Sequence, residues 1–239
     1  FAEEQKKLFN KKNPDIFVTV AGSARFSQNF QETAQSDATN MYPAFLVLII
    51  ILSYILLRSV SASLLSLIVI FLSILPSMGS AGWLEYQVLP PLIIAPIIIL
   101  TIALAHAIHI LSIALSNMNE GMQKDKAIIE SMKINFMPVF LTSFTTAVGV
   151  AGVNFGNIPA FSQMANAVVF GAAYSFVLSV TVLPALFMMM PIKSDGKNNI
   201  ILPALHALGN FIFKFKYYVI TFISLTTIFL ISLIPTLYF

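Results

Sequence analysis

The chain has 239 residues, of which 58% are hydrophobic and only 10% charged, with a formal net charge of +3 and no cysteine. A soluble domain carries about a quarter charged residues, and a mean hydropathy of +0.87 places this chain among polytopic α-helical membrane proteins instead. Closed barrels are excluded because the apolar stretches do not alternate. Nucleic-acid binding is excluded because no basic stripe is interleaved with aromatics, and disulfide or thiolate chemistry because no thiol is present.

Residues 1–40 are polar and mixed in charge. FVTVAG alternates like a short strand ending at Gly22, and SQNFQETAQSDATN reads as a polar helix leading into the membrane. Neither piece has enough apolar surface for a core of its own, so residues 1–40 are expected to edge a larger extramembrane domain. The chain opens on Phe1 without a signal-peptide pattern and closes on SLIPTLYF at the edge of an apolar run, as expected of a segment cut from a longer protein.

Apolar runs of spanning length then follow at Met41–Leu57, Val60–Gly79, Pro91–Leu115, Phe136–Val153, Pro159–Met190 and Tyr217–Leu237. The first two are separated only by Arg58 and Ser59, which predicts a tight helical hairpin. The fifth exceeds one crossing, and tilt or an extension along the surface is expected to absorb the excess. Arg58 lies in the first connection, Lys124, Lys126 and Lys133 in the third, and Lys193, Lys197, Lys214 and Lys216 in the fifth. The second and fourth connections, around Glu85 and from Asn154 to Ile158, hold no Lys or Arg. By the positive-inside rule the odd connections are cytoplasmic, which puts the N-terminal segment and Phe239 outside. Two of the cytoplasmic stretches, GMQKDKAIIESMKINF and ILPALHALGNFIFKFKYY, have the pattern of amphipathic surface helices. His206, in the second, reads as an ordinary interfacial histidine.

The run PPLIIAPIIILTIALAHAIHILSIAL carries the ionisable residues His106 and His109. Ionisable groups at membrane depth are expensive, face bundle interiors and mark substrate or ion paths. His106, His109, Ser112 and Ser116 fall on one helical face. The next span offers Thr142, Thr145, Thr146, Gly149, Gly152 and Gly156 on one side, and the span after it Gln163, Asn166 and Tyr174. The simplest assembly turns these faces together into a polar seam, with small residues permitting close approach and threonines bonding across the contact. Imidazoles titrate nearest physiological pH, so a pair in a partly wet seam has the chemistry to take up and release protons. Equally, both can stay neutral and bond to hydroxyls or carbonyls. For the threonines and glycines, close packing is the plainer role. Pro96 removes a backbone bond and bends the outer end of its helix.

Enzyme chemistry finds no footing. HAIH lacks the glutamate and spacing of HExxH, there is no GxSxG elbow and no phosphate loop, and no Asp or Glu lies within the apolar runs. No catalytic residue, metal ligand or cofactor is expected.

Three motifs, in order, resemble one superfamily. TIALAHAIHIL resembles the fourth-span motif of the resistance–nodulation–division (RND) superfamily in its MMPL and sterol-sensing branch. TSFTTAVGVAGVNFGNIPAFSQMANAVVFGAAYSFVLSVTVLPALF resembles that branch's fifth and sixth spans, and AGSARFSQNFQETAQSDATNMYP the end of its extracytoplasmic porter domain. The resemblance implies an all-α bundle holding spans two to six of one half and the first span of a second. Residues 1–40 would edge the porter domain, 41–192 form five spans, 193–216 a cytoplasmic connection, and 217–239 the opening span of the second half. It also implies proton-driven export of lipids or other hydrophobic or amphiphilic molecules across a bacterial inner membrane, with membrane lipids and the remaining half of the protein as partners. His106 and His109 would be the proton relay, and Ser112, Thr142, Thr145, Thr146, Asn166 and Tyr174 would line the seam. One departure stands out: the family commonly has an acidic residue where this chain has His106. Either His106 takes over the relay, or coupling lies in the missing half, or the protein is not proton-driven. The alternative to transport is a sterol-sensing-like module that binds lipid without pumping, and a third reading is a packing scaffold.

Overall fold

The computed structural model describes residues 23–156, 158–192, 210–211 and 214–233. The strand expected at FVTVAG and the interfacial His206 lie outside these residues, as does most of the second amphipathic stretch. The described chain is all-α: α1 Ser23–Leu57, α2 Val60–Trp83, α3 Pro90–Asn119, α4 Lys124–Ala151, a 3-10 turn Gly152–Phe155, α5 Pro159–Val180, α6 Val182–Met189 and α7 Lys216–Leu233. Five segments are long and apolar enough to cross a membrane: Ala38–Leu57, Val60–Trp83, Pro90–Asn119, Lys124–Phe155 and Pro159–Met189. They make the chain a multi-pass membrane protein. The sixth expected crossing is represented by α7, an 18-residue apolar helix in a separate unit covering Gly196–Phe239.

Local chemistry sets the boundaries. Arg58 takes a left-handed conformation with φ 49, and the Ser59 side chain accepts from the Ala62 N–H at 3.4 Å to cap α2. The predicted tight hairpin follows. α3 opens with Pro90 and Pro91 in its first turn, where a missing N–H is harmless. It stops at Gly121, whose φ of 90 lets Met122 N–H reach back to Asn117 O at 3.0 Å.

The polar helix expected to lead into the first span does so without a break: α1 runs for 35 residues, through Pro43. One expectation is corrected. The lysine-rich stretch after Gly121 is not a separate surface helix. It forms the first turns of α4, because Ala127, Ile128, Ser131 and Asn135 make a buried stripe that continues through Val139 and Ser143. Its first lysine turns inward, with Lys124 Nζ donating to the Met188 and Met190 carbonyls at the end of α6. The over-long fifth run is divided into two helices. Thr181, at φ −115 and ψ −63, separates α5 from α6, and Pro184 just beyond it cannot donate to the Val180 carbonyl.

In the unit that holds α1 to α6, α5 is the hub and packs on α2, α3 and α4, while α1 lies on α3 and α2. Side-chain hydrogen bonds tie most of these pairs. Ser53 meets Ser66 at 2.7 Å between α1 and α2, and Ser77 donates to Ala167 O at 2.7 Å between α2 and α5. Ser131 donates to Ile110 O at 2.6 Å between α4 and α3. Tyr42 of α1 donates to Ile93 O of α3, next to the carbonyl that Pro96 deprives of its helical donor. Each such bond is worth only about 0.6 kcal/mol in a membrane, so close packing carries more of the stability.

The tightest approach is at Gly171. A Cβ there would lie 2.3 Å from Ile99 Cγ1 and 2.9 Å from Ile99 Cγ2, atoms of a β-branched chain with little freedom to swing away. Gly171→Ala is therefore expected to destabilise the purified protein by about 1–3 kcal/mol. Ile99→Ala in the same chain is expected to recover part of that loss, so that the two changes are non-additive in thermal unfolding.

Candidate functional site

His106 is 1% exposed and sits midway along α3. Its Nδ1 lies 2.9 Å from Ser175 Oγ of α5, and its Nε2 lies 3.3 Å from Ser143 Oγ of α4. Three helices thus meet at one imidazole, and both ring nitrogens are engaged by hydroxyls. A hydroxyl is donor and acceptor at once. In the neutral ring one serine accepts from the N–H while the other donates to the bare nitrogen; in the cation both accept. Either tautomer and either charge state is satisfied by turning two hydroxyls, with no movement of backbone.

The other expected seam residues are distributed differently. His109 is exposed, and Ser112, half-buried, donates to the His109 carbonyl at 3.3 Å. Three residues of helix turn the side chain by about 60° from its predecessor, enough to take His109 out of the enclosed sector. Ser116 is also half-buried.

The Thr/Gly face of α4 does not close on α3. Thr142 and Thr145 are exposed and Thr146 is half-buried. Gly149 and Gly152 have no neighbour within 4 Å of where a Cβ would stand, and Gly156 is exposed. The reason is that these threonines satisfy themselves. Thr142 donates to Pro138 O at 2.8 Å and Thr145 to Leu141 O at 2.8 Å, so neither hydroxyl needs a partner from another helix.

Asn166 and Tyr174 point away from His106. Asn166 Nδ2 donates to Tyr86 Oη at 3.2 Å, and its Oδ1 accepts from Asn154 Nδ2 at 2.9 Å, joining the connection after α2 to the one after α4. Tyr174 Oη lies 3.1 Å from Ser80 Oγ of α2. Gln163 Oε1, in the same region, is buried without a partner among the described residues.

The residues that sequence reasoning missed are serines. Ser143 sits inside TSFTT, overshadowed by threonines, yet it falls in phase with Ser131, Asn135 and Val139. Ser175 and Ser179 are one turn apart on α5. On α2 and its N-cap the serines at 59, 63, 66, 73, 77 and 80 recur at alternating three- and four-residue steps broken only by Ile70, a period that marks one buried face. Two hydroxyls on these faces, Ser63 Oγ and Ser179 Oγ, are buried with no partner among the described residues. A buried polar group left so is destabilising by about 1–3 kcal/mol.

The two serines at His106 and the two outward threonines make opposite predictions. Ser175→Ala leaves Nδ1 bare and is expected to destabilise by about 1–3 kcal/mol. Thr142→Val and Thr145→Val are expected to stay within about 0.5 kcal/mol of the parent. Thermal unfolding of the three variants in one detergent checks both.

The profile of the MMPL family matches residues 3–198, a range that takes in α1 to α6 and therefore His106, Ser143 and Ser175. Among curated proteins none matches. The helical architecture and the match agree, and the chain belongs to the MMPL family, whose members are RND-type membrane transporters of hydrophobic molecules.

Proposed function

We propose that this chain is the histidine-bearing part of a proton-driven exporter of hydrophobic or amphiphilic molecules in a bacterial inner membrane, with His106 as the proton carrier. The observation that carries the reading is the imidazole itself: 1% exposed, at membrane depth, and held between two hydroxyls that suit its neutral and its charged form alike. A group that merely filled space there needs only one fixed partner set. A carrier needs both.

Charging an imidazole in this setting is costly. The cation is therefore a transient state, formed when the site opens to water on one side and discharged when it opens on the other. Coupling follows if the helices around His106 rearrange between those states, with substrate moving in the opposite sense. His109, on the open side of α3, is the second proton-handling candidate, because water or another helix can reach it.

The exposed strip formed by Thr142, Thr145, Gly149 and Gly152 is assigned to close approach of the remaining half of the transporter, for which small residues are suited. Residues 1–40 fit the edge of an extracytoplasmic porter domain, 193–216 a cytoplasmic connection, and 217–239 the first span of the second half. The loop charges support a cytoplasmic location for Arg58 and Lys124 and an outer location for the turn at Glu85.

His106→Ala in the full-length protein is expected to abolish gradient-driven transport while membrane insertion and yield stay unchanged. The measurement is substrate movement in reconstituted vesicles with an imposed proton gradient. Transport at the parent rate by this variant removes His106 from the mechanism.

A further inference from the structure

Between His106 and the basic end of the bundle, where Arg58 and Lys124 lie, the interior is mostly apolar. Ile110, Leu111, Leu183 and Phe187 are all fully buried there. The buried polar side chains there mostly bond to the protein, as Ser53 and Ser66 do to each other and Ser131 does to Ile110 O. One strip departs from this. Ser175, bonded to His106, is followed one turn later on α5 by Ser179, which is 0% exposed and has no partner among the described residues. On α2, Ser63 is 6% exposed and equally unpartnered.

The two orphaned hydroxyls lie at similar depths, within about 3 Å of each other along the helices. The bond from Ser77 to Ala167 O fixes the register of α2 against the oppositely directed α5. From it, Ser63 lies about 21 Å back along α2 and Ser179 about 18 Å onward along α5, at a rise of roughly 1.5 Å per residue. Near the basic end the register is closed by Ser61 Oγ, 3.4 Å from Pro191 O.

A serine hydroxyl on a helix can bond to its own carbonyl four residues back, as Ser73 and Ser80 do at 2.8 Å. Ser63 and Ser179 do not. Buried polar groups that forgo a protein partner are places where water binds. α2 and α5 contain no Asp, Glu, Lys or Arg, so ionisable side chains on these helices do not interrupt the strip. α3 adds only the exposed His109, while α4 carries Asp125 and Lys126 on its exposed surface and Glu130 paired with Lys133 at 3.0 Å.

We propose that Ser175, Ser179 and Ser63 form a water-binding hydroxyl strip that carries protons between His106 and the basic end of the bundle. Each hydroxyl accepts a proton on one lone pair as it releases its own, so the strip passes charge without holding it. The proposal rests on the reading of His106 as a proton carrier.

Two measurements test it on the full-length protein. With no cysteine among these residues, Ser179→Cys, Ser63→Cys and the apolar control Leu183→Cys can be labelled singly, other cysteines having been replaced. A charged methanethiosulfonate is applied from the basic side of oriented vesicles. The two serine positions are expected to react at least about tenfold faster than position 183, because only a hydrated thiol ionises. Equal rates overturn the proposal.

In the second measurement, Ser179→Ala is expected to leave thermal stability unchanged, since it removes no bond to another protein group among the described residues, while slowing proton flux several-fold; Ser179→Thr keeps the flux. Parent flux in Ser179→Ala overturns the proposal. The two readings fail separately. Fast labelling with full transport in His106→Ala sinks the relay and leaves the hydrated strip, whereas unreactive cysteines with lost transport in His106→Ala do the reverse.

Discussion

Within the hydrocarbon layer no water is available to satisfy a polar side chain, so each hydroxyl, amide and imidazole must find its partner in the protein or in a cavity the protein makes. That constraint organises this bundle. Short polar side chains are used because they let helices approach closely while still bonding. Ser77 reaches a carbonyl of α5, Ser131 a carbonyl of α3, and Ser53 another serine. α5 is the hub because it presents Ala167, Gly171, Ala172, Ser175 and Ser179, none of which keeps a neighbour away. The same closeness that places Ile99 against Gly171 brings Ser175 within reach of His106.

Much of this was legible in the sequence, and the physical reason is that hydropathy and turn chemistry are local. The hairpin at Arg58 and Ser59, the double proline opening α3 and the stop at Gly121 each depend on a few neighbouring residues. The candidate site was legible only as far as His106. Its partners depend on helical phase between elements, and the polarity of the TSFTT threonines does not reveal which way they face. Thr142 and Thr145 bond to their own helix and face outward at no loss. The first turns of α4 are hard to place from sequence for a related reason. Lysines at 124, 126 and 133 suggested a surface, while the stripe of Ala127, Ile128, Ser131 and Asn135 beneath them was already in register with the span.

The two histidines show how small a rotation decides a role. They are three residues apart on one helix, which turns the second by about 60° from the first. His106 falls in the sector enclosed by α4 and α5; His109 falls outside it. A pair that looked like one proton-exchanging unit is thus split into an enclosed group with fixed partners and an open group that water or another chain can approach.

Where the resemblance implies an acidic residue this chain has His106, and an imidazole changes what the surroundings must supply. A carboxylate is charged when empty and neutral when loaded, so it calls for a cation nearby to hold its resting state. An imidazole is neutral when empty and positive when loaded, so it calls for acceptor oxygens and has no use for a neighbouring lysine or arginine. The bundle matches the second case. Serine oxygens stand at both ring nitrogens, and neither α2 nor α5 carries a cationic side chain. Placing a carboxylate at this position would leave its charge among hydroxyls alone, whereas the imidazole is satisfied in both of its states by groups already in place. The serines and the histidine are therefore one arrangement, in which either charge state of the ring finds its partners on α4 and α5.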